Sequence, residues 1–476
     1  MSISLSKERE AALPPVVEEP TTLASDRKIR DSSNLAYYLI LLQGIGILMP
    51  WNMFLNISYD YYINHKLLEP VFDPETNTTV LKQAEYSNNF QIAMTLSSQV
   101  PNLLLNLINM FVNAKGDLTF RINACLSIIS SVVVITIALI FVETENHMGK
   151  FFYFTLFTII ILNGANGVFQ NSMFGLVSDF PFKYTNAVII GQNFCGTLIT
   201  IIGMLTKAAA STVETRAVAY FTISLAVLIS CLVSIQVLKR LPFYRFYTQK
   251  KEEMVDLRSI RMLERDVQKT TSDGATETER VELVEIEAVE ERSTWETYLE
   301  TFKEAKGQLF NIFFLFFVTL AIFPNIQTKI TDNGKNEPYN FIVSEKYFMD
   351  VTTFLNFNLF AFIGSMIANY VQIFGPRNIW IPVVVRALWL FYFPFCNYDV
   401  VKRNLRVLFP STWLYVINGS LMALSSGYLT CLIMMYAPRS VKPDRSRIAG
   451  MMAGFFLILG IVCGLAFSEV INHLVR

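Results

Sequence analysis

The chain has 476 residues, 53% of them hydrophobic and only 16% charged, with a mean hydropathy of +0.40. Its 39 basic and 39 acidic residues cancel, and they are confined between long charge-free runs, a pattern that excludes a nucleic-acid binder or a secreted enzyme. Runs of about 20 apolar residues cross a ~30 Å hydrocarbon layer, and the chain holds about eleven of them, so it reads as an all-α polytopic membrane protein. The six cysteines all fall inside apolar runs, which argues against a disulfide framework. The first ~30 residues are polar and proline-bearing, and no cleavable signal peptide is expected.

In chain order, residues 1–33 read as a disordered cytoplasmic tail. Spans are predicted at 34–55, 88–113, 122–142, 151–177, 185–206 and 218–238, giving a six-helix half over 34–238. A long acidic connection follows over 239–307. Its central part, 252–300, reads as a solvated tether unlikely to pack, with Ser272 and Thr276 as less favoured phosphorylation candidates. Spans at 308–326, 349–373, 378–396, 408–436 and 448–470 complete a five-helix half over 308–476.

Basic residues flank the long connection, among them Lys239, Arg240, Arg245, Lys303 and Lys306, which makes it cytoplasmic by the positive-inside rule. The N-terminus is then cytoplasmic and the C-terminus extracellular. Lys402, Arg403 and Arg406 fall on the outer side and oppose the rule. Two sequons, at Asn56 and Asn77, fall in the first outer loop, with Asn77 the better glycosylation acceptor because Asn56 sits at the membrane edge. No sorting or retrieval motif is evident, so the plasma membrane is the expected location.

The two sets of spans share punctuation. The first reads GIGILMPWNMF, with Pro50 and Asn52, and the seventh reads LAIFPNIQ, with Pro324 and Asn325; the fourth and tenth each end in proline. Helical interruptions at matching places in two halves point to a transporter's midplane site. Ionisable residues are almost missing at depth: Arg386 lies mid-span in the ninth and Glu469 near the outer end of the eleventh, while the three histidines fall in loops. A proton-coupled carrier needs a carboxylate or histidine relay, so the expectation is uncoupled transport with no cofactor, no metal and no enzymatic activity. Uncharged polar residues instead form stripes: Asn163, Asn166 and Gln170 in the fourth span, Asn193, Thr197 and Thr200 in the fifth, and Asn358, Ser365 and Asn369 in the eighth. Taken singly, each is better read as glue between helices. Taken together they suit a neutral ligand with both donors and acceptors, such as a nucleobase, with Trp51 and Phe323 available to stack on it.

PWN in the first span, QxSxFGL at 170–176, GQxxxG at 191–196, LPFYRFY at 241–247, FP at 323–324, FNxF at 357–360, and SGYL with the following VKP and AG at 426–450 resemble the equilibrative nucleoside transporter family, in order and over 34–472. The resemblance implies an eleven-helix fold related to the major facilitator superfamily, in which six- and five-helix halves rock about a central cavity. It also implies facilitative movement of nucleosides, or in some members of nucleobases or organic cations, with the bilayer and the small solute as the partners. By position, Trp51 borders the base, Leu55 sits in the outer gate, Gln170 hydrogen-bonds the base, and Gly191 and Gly196 allow close helix approach. Arg386 matches a family arginine. Asn166 stands where glycine or serine is usual, and Ser426 where asparagine is usual. In the eighth span the family's aspartate and arginine are Ala361 and Ser365, next to Asn358. Losing both charges together leaves neither orphaned and implies a more neutral, less discriminating site.

Overall fold

The computed structural model describes residues 31–475 apart from 74–77, 84, 112–116, 144–146, 210–211, 249–278, 333–337 and 401–402. Helix α1 (Leu35–Ile57) is capped by Asp31, whose carboxylate accepts from the Ala36 and Tyr37 amides at 3.1 Å, and it runs on through a wide turn to Lys66. A hairpin of Leu68–Asp73 and Thr78–Gln83 follows, then α2 (Glu85–Phe111), α3 (Leu118–Ile140), α4 (Met148–Val177), α5 (Phe182–Ala209) and α6 (Val213–Arg240). Asp117 caps α3 and Thr212 caps α6. Then come α7 (Glu279–Ile322), α8 (Asn356–Ile367) with a wide turn Asp350–Leu355 before it, α9 (Trp380–Val385), α10 (Leu388–Tyr392), α11 (Thr412–Arg439) and α12 (Ser446–Val475).

Among the described residues, nine helices are long and apolar enough to cross a membrane. Helix α2 falls short on hydropathy because one side is polar. Its exposed side is nonetheless apolar, with Ile92, Leu96, Val100, Leu104 and Ile108 one turn apart, while Ser98, Asn102, Asn106 and Asn109 are buried. Such an inside-out pattern suits a hydrocarbon surrounding. The apolar segment Trp380–Phe395 contains Pro382 and Pro394 and is broken into short pieces.

Among α1–α6, the main packing pairs are α1 with α5, α2 with α4, α3 with α4 and α6 with α1 and α3; among the later helices they are α7 with α12 and α8 with α11. Small residues bring these axes together. A Cβ on Gly191 would overlap the Leu41 carbonyl oxygen and one on Gly44 that of Val188, so α1 and α5 touch backbone to backbone. Gly364 and Gly427 do the same for α8 and α11, against the carbonyls of Leu424 and Ala361.

The two groups of helices meet along α5–α8, α5–α11, α4–α12 and α2–α12. At the end carrying the α4–α5 and α11–α12 turns, the junction is dense. Arg447 pairs with Asp179 at 2.6 Å, the Asn171 amide donates to the Met451 carbonyl at 2.9 Å, and Asn186 donates to Asn369 at 2.9 Å. At the opposite end Lys207 reaches Asp350 at 2.9 Å and the Lys346 carbonyl at 3.1 Å.

Two expectations change. Helix α7 begins well before residue 308, and its segment from Trp295 packs rather than trailing as a tether: Tyr298 is buried and donates to the Met110 carbonyl at 2.6 Å, while Arg445 bonds Glu300 and Glu304, each at 2.8 Å. The packing reason is that Tyr298, Thr301 and Ala305 form one apolar side facing the bundle. Arg403, one of the basic residues opposing the charge rule, is a structural tie. It donates to the carbonyls of Pro394, Cys396, Tyr398, Leu405 and Arg406, holding the α10–α11 loop together. Ser272, Thr276, Lys402 and Asn77 lie outside the described residues.

Candidate functional site

The structure separates polar residues that serve the protein from those that do not. In α5, Thr197 and Thr200 donate to their own helix and Asn193 donates to the Ala361 carbonyl of α8 at 3.4 Å. In α8, Asn358 donates to the Phe354 carbonyl at 2.9 Å and Ser365 to the Phe362 carbonyl at 2.8 Å, and Asn369, just past its end, is held between Asn186 and Tyr37. These two stripes are interhelical and intrahelical bonding. Gly196 leaves room for Asn358, since a Cβ there would overlap Asn358 Oδ1.

The α4 stripe differs. Asn163 donates to the Ile159 carbonyl at 3.0 Å, but Gln170 and Asn166 hydrogen-bond no described residue although they are 5% and 3% exposed. Asn166 Oδ1 is fully enclosed without a donor. A buried amide without partners carries a desolvation penalty that a ligand can relieve. Trp51 and Leu55 are half-buried on α1 and pack against the core; Pro50 is buried in the same helix, and Asn52 accepts from Asn56 at 2.9 Å through its carbonyl. Asn56 itself is exposed at the end of that helix.

Phe323 and Pro324 follow the end of α7. Phe323 stacks on Phe357 with centroids 3.8 Å apart and planes 11° from parallel, so one ring face is already taken. Ala361 and Ser365 were expected to point toward a ligand. They lie in the α8–α11 crossing, 2% and 0% exposed, where Gly427 meets the Ala361 backbone and the Cys431 thiol donates to the Ser365 carbonyl at 3.7 Å. Arg386 is buried at the junction of α7, the broken segment and α11. Its guanidinium donates to the Met422 carbonyl at 2.8 Å, to Thr319 at 2.6 Å and to Ser425, and lies 5.2 Å from the Trp389 ring. Among the described residues no carboxylate pairs with it, so neutral oxygens and an aromatic face carry the charge.

Sequence reasoning passed over α2. There Asn106 and Asn109, with Asn171 of α4, form a ladder: Asn171 donates to Asn106 at 2.9 Å, Asn109 donates to Asn171 at 2.8 Å, and Arg121 donates to Asn109 at 3.1 Å. The signal was the NLLLNLIN run, which places Asn102, Asn106 and Asn109 on one side of a helix.

The family model described as Nucleoside transporter matches residues 156–473. The human protein named equilibrative nucleoside transporter 1 is 26% identical over 468 residues, covering 95% of this chain and 100% of its own length. Rat equilibrative nucleoside transporter 3 is 27% identical, covering 94% of this chain and 90% of its own length. Among solved structures, the major facilitator superfamily transporter FucP in its outward conformation aligns with a TM-score of 0.51 at 10% identity, covering 93% of this chain and 92% of its own. The human organic anion transporter MFSD10 also gives 0.51, at 12% identity, covering 93% and 95%. The fold is therefore that of major facilitator transporters, and the chain belongs to the nucleoside transporter family.

Proposed function

We propose that this protein moves nucleosides across a membrane by facilitative, uncoupled alternating access. The observation that carries the reading is the unpartnered amide face of α4, Asn166 and Gln170, near the middle of a membrane bundle in a chain of this family. Gln170 contacts the base, Trp51 borders it, and Leu55 with Phe323 lies nearer the outer mouth. The amphipathic α2 and the broken segment Trp380–Phe395 join the nine long helices to make eleven spans, arranged six plus five. A pseudo-two-fold is supported by matched packing: α1 on α5 answers α7 on α12, α2 on α4 answers α8 on α11, and α5 on α8 answers α12 on α2. Domain limits at 34–238 and 308–476 follow, with 1–33 as a tail and 239–307 as the connection.

The N-terminus is cytoplasmic, the C-terminus extracellular and the plasma membrane the location, with glycans at Asn77 before Asn56. The densely joined end is then cytoplasmic, and the conformation is outward-facing. Ala361 and Ser365, uncharged where the family pattern has an aspartate and an arginine, support a second feature of the reading: with no charged pair facing the solute, ribosides, deoxyribosides and free bases are weakly distinguished. The test is uptake into proteoliposomes of uridine, adenosine, adenine and a monoamine, with and without proton and sodium gradients. Uptake is expected to stop at equal concentrations on both sides. Accumulation of an unmetabolised solute against its gradient sinks the uncoupled mechanism, and absence of counterflow for every solute indicates a non-transporting membrane sensor.

A further inference from the structure

Helix α7 carries an exposed flank that the bundle does not use. Trp295, Leu299, Phe302 and Phe310 recur at helical spacing and are 63%, 45%, 40% and 53% exposed, while Tyr298, Thr301 and Ala305 turn inward. Lys303 and Lys306 stand on the same flank, one turn beyond Leu299 and Phe302, and both are exposed. Among the described residues no carboxylate pairs with either ammonium, and Glu300 and Glu304 are taken by Arg445.

This flank continues a surface already turned to hydrocarbon. Trp295 stacks on Phe111, with centroids 5.7 Å apart and planes 30° from parallel, and Phe111 ends α2 one turn past Ile108, the last of its apolar exposed row. Phe302 lies 6.0 Å from the Phe456 ring of α12. Depth follows from the pairing of α7 with α12. Gly460 stands midway along α12, and a Cβ there would lie 2.4 Å from the Phe313 carbonyl oxygen, which puts Phe313 near the middle of the layer that α12 crosses. About ten helical residues, or ~15 Å, separate the middle of a bilayer from its headgroups. Counted back from Phe313, that boundary falls at Lys303, with Lys306 just inside it and Phe310 in the hydrocarbon. Lysine stems lie along apolar surface with the ammonium at the headgroups, and tryptophan favours the same level.

We propose that this flank binds an anionic phospholipid, with Lys303 and Lys306 receiving the headgroup phosphate and an acyl chain lying along Phe302 and Phe310. Two unpaired cations at headgroup depth beside an apolar strip complement such a lipid at both ends. A zwitterionic headgroup brings a cation that the lysines repel, and a soluble anion makes no use of the aromatic strip. Because Phe111 belongs to the first group of helices and α7 to the second, the lipid sits beside their junction. The inference rests on the membrane-spanning fold and on no particular solute.

The test places the full-length protein in phosphatidylcholine nanodiscs holding a minor share of brominated lipid, the bromine carried on the acyl chains of either phosphatidylglycerol or phosphatidylcholine. Quenching of the Trp295 component, obtained by subtracting Trp295→Phe from the wild type, is expected to be at least about twofold stronger with the anionic lipid, and to lose that excess as salt rises toward ~1 M, where the screening length falls to ~3 Å. Lys303→Gln with Lys306→Gln should bring the two lipids level at an unchanged melting temperature, whereas Lys303→Arg with Lys306→Arg should keep the excess. Equal quenching in the wild type overturns the proposal, as does an excess that survives in the glutamine variant. Displacement of the brominated phosphatidylglycerol by millimolar inorganic phosphate would reveal a soluble-anion site and overturns it too. Should the glutamine variant fail to fold, the salt series on the wild type decides, and an excess insensitive to salt overturns the proposal.

Discussion

At the residue scale, what a side chain already bonds to decides what it is free to do. Gln170 and Asn166 are unspent, so Gln170→Ala should lower nucleoside uptake at least several-fold at unchanged surface expression, through a loss of ~1–3 kcal/mol of ligand hydrogen bonding. Asn358→Ala, which loses a bond to its own helix, should change uptake less; equal losses in both would show that the α4 face has no special role. The eighth-span pair gives a second expectation. Because Ala361 and Ser365 are enclosed by α11, Ala361→Asp with Ser365→Arg should cost surface expression instead of restoring riboside selectivity, which western blotting of biotinylated protein reads directly. The periodicity of Asn163, Asn166 and Gln170 was legible in the sequence, because 3.6-residue spacing alone puts them on one face. Which of the three faced a partner was not, since that depends on whether the Ile159 carbonyl or a neighbouring helix lies within reach of the amide. The packing of Ser365 was hidden for the same reason: a position can share a helical face with Asn358 and still be turned under the adjoining helix.

At the scale of elements, the bundle is organised by glycine crossings. Gly427→Leu should prevent α8 and α11 from approaching and abolish folding, because the added side chain meets the Ala361 backbone, which has no room to yield. Gly307→Ala in α7 meets nothing within 4 Å and should stabilise by up to ~1 kcal/mol through helix propensity, so the pair calibrates close approach against propensity in a single thermal-melt experiment. The long apolar spans were readable from hydropathy, whereas the start of α7 was not. Its segment from Trp295 is charged enough to resemble a linker, and only the pairing of Glu300 and Glu304 with Arg445, about 140 residues away, gives those carboxylates a partner. Removing that pairing with Arg445→Ala should loosen the α7 extension, visible as faster proteolysis between 279 and 307 with the apolar spans still protected. Arg403 shows what a count of charges leaves out, because backbone carbonyls hold its guanidinium.

For the whole molecule, α1–α6 and the later helices form two groups that meet along four helix contacts. A carrier built this way must break one set of junctions to open on the other side. The Asp179–Arg447 pair is such a junction, and Asp179→Asn or Arg447→Met removes its charge attraction. Either single change should shift the population toward the inward-facing form, raising accessibility of a cysteine introduced at the α4–α5 turn to a membrane-impermeant thiol reagent applied from the cytoplasmic side; no change in labelling would show that the pair closes nothing. The seam also has a kinetic meaning. The links that close it, Asp179 to Arg447 and the Asn171 amide to the Met451 carbonyl, must break each time the carrier reorients, and an empty carrier has no solute binding energy to set against them. The return of the unloaded protein is therefore expected to be the slow leg of the cycle, and solute waiting on the far side should speed labelled flux: exchange should outrun net uptake into empty vesicles, and the gap between the two should narrow when the seam is weakened.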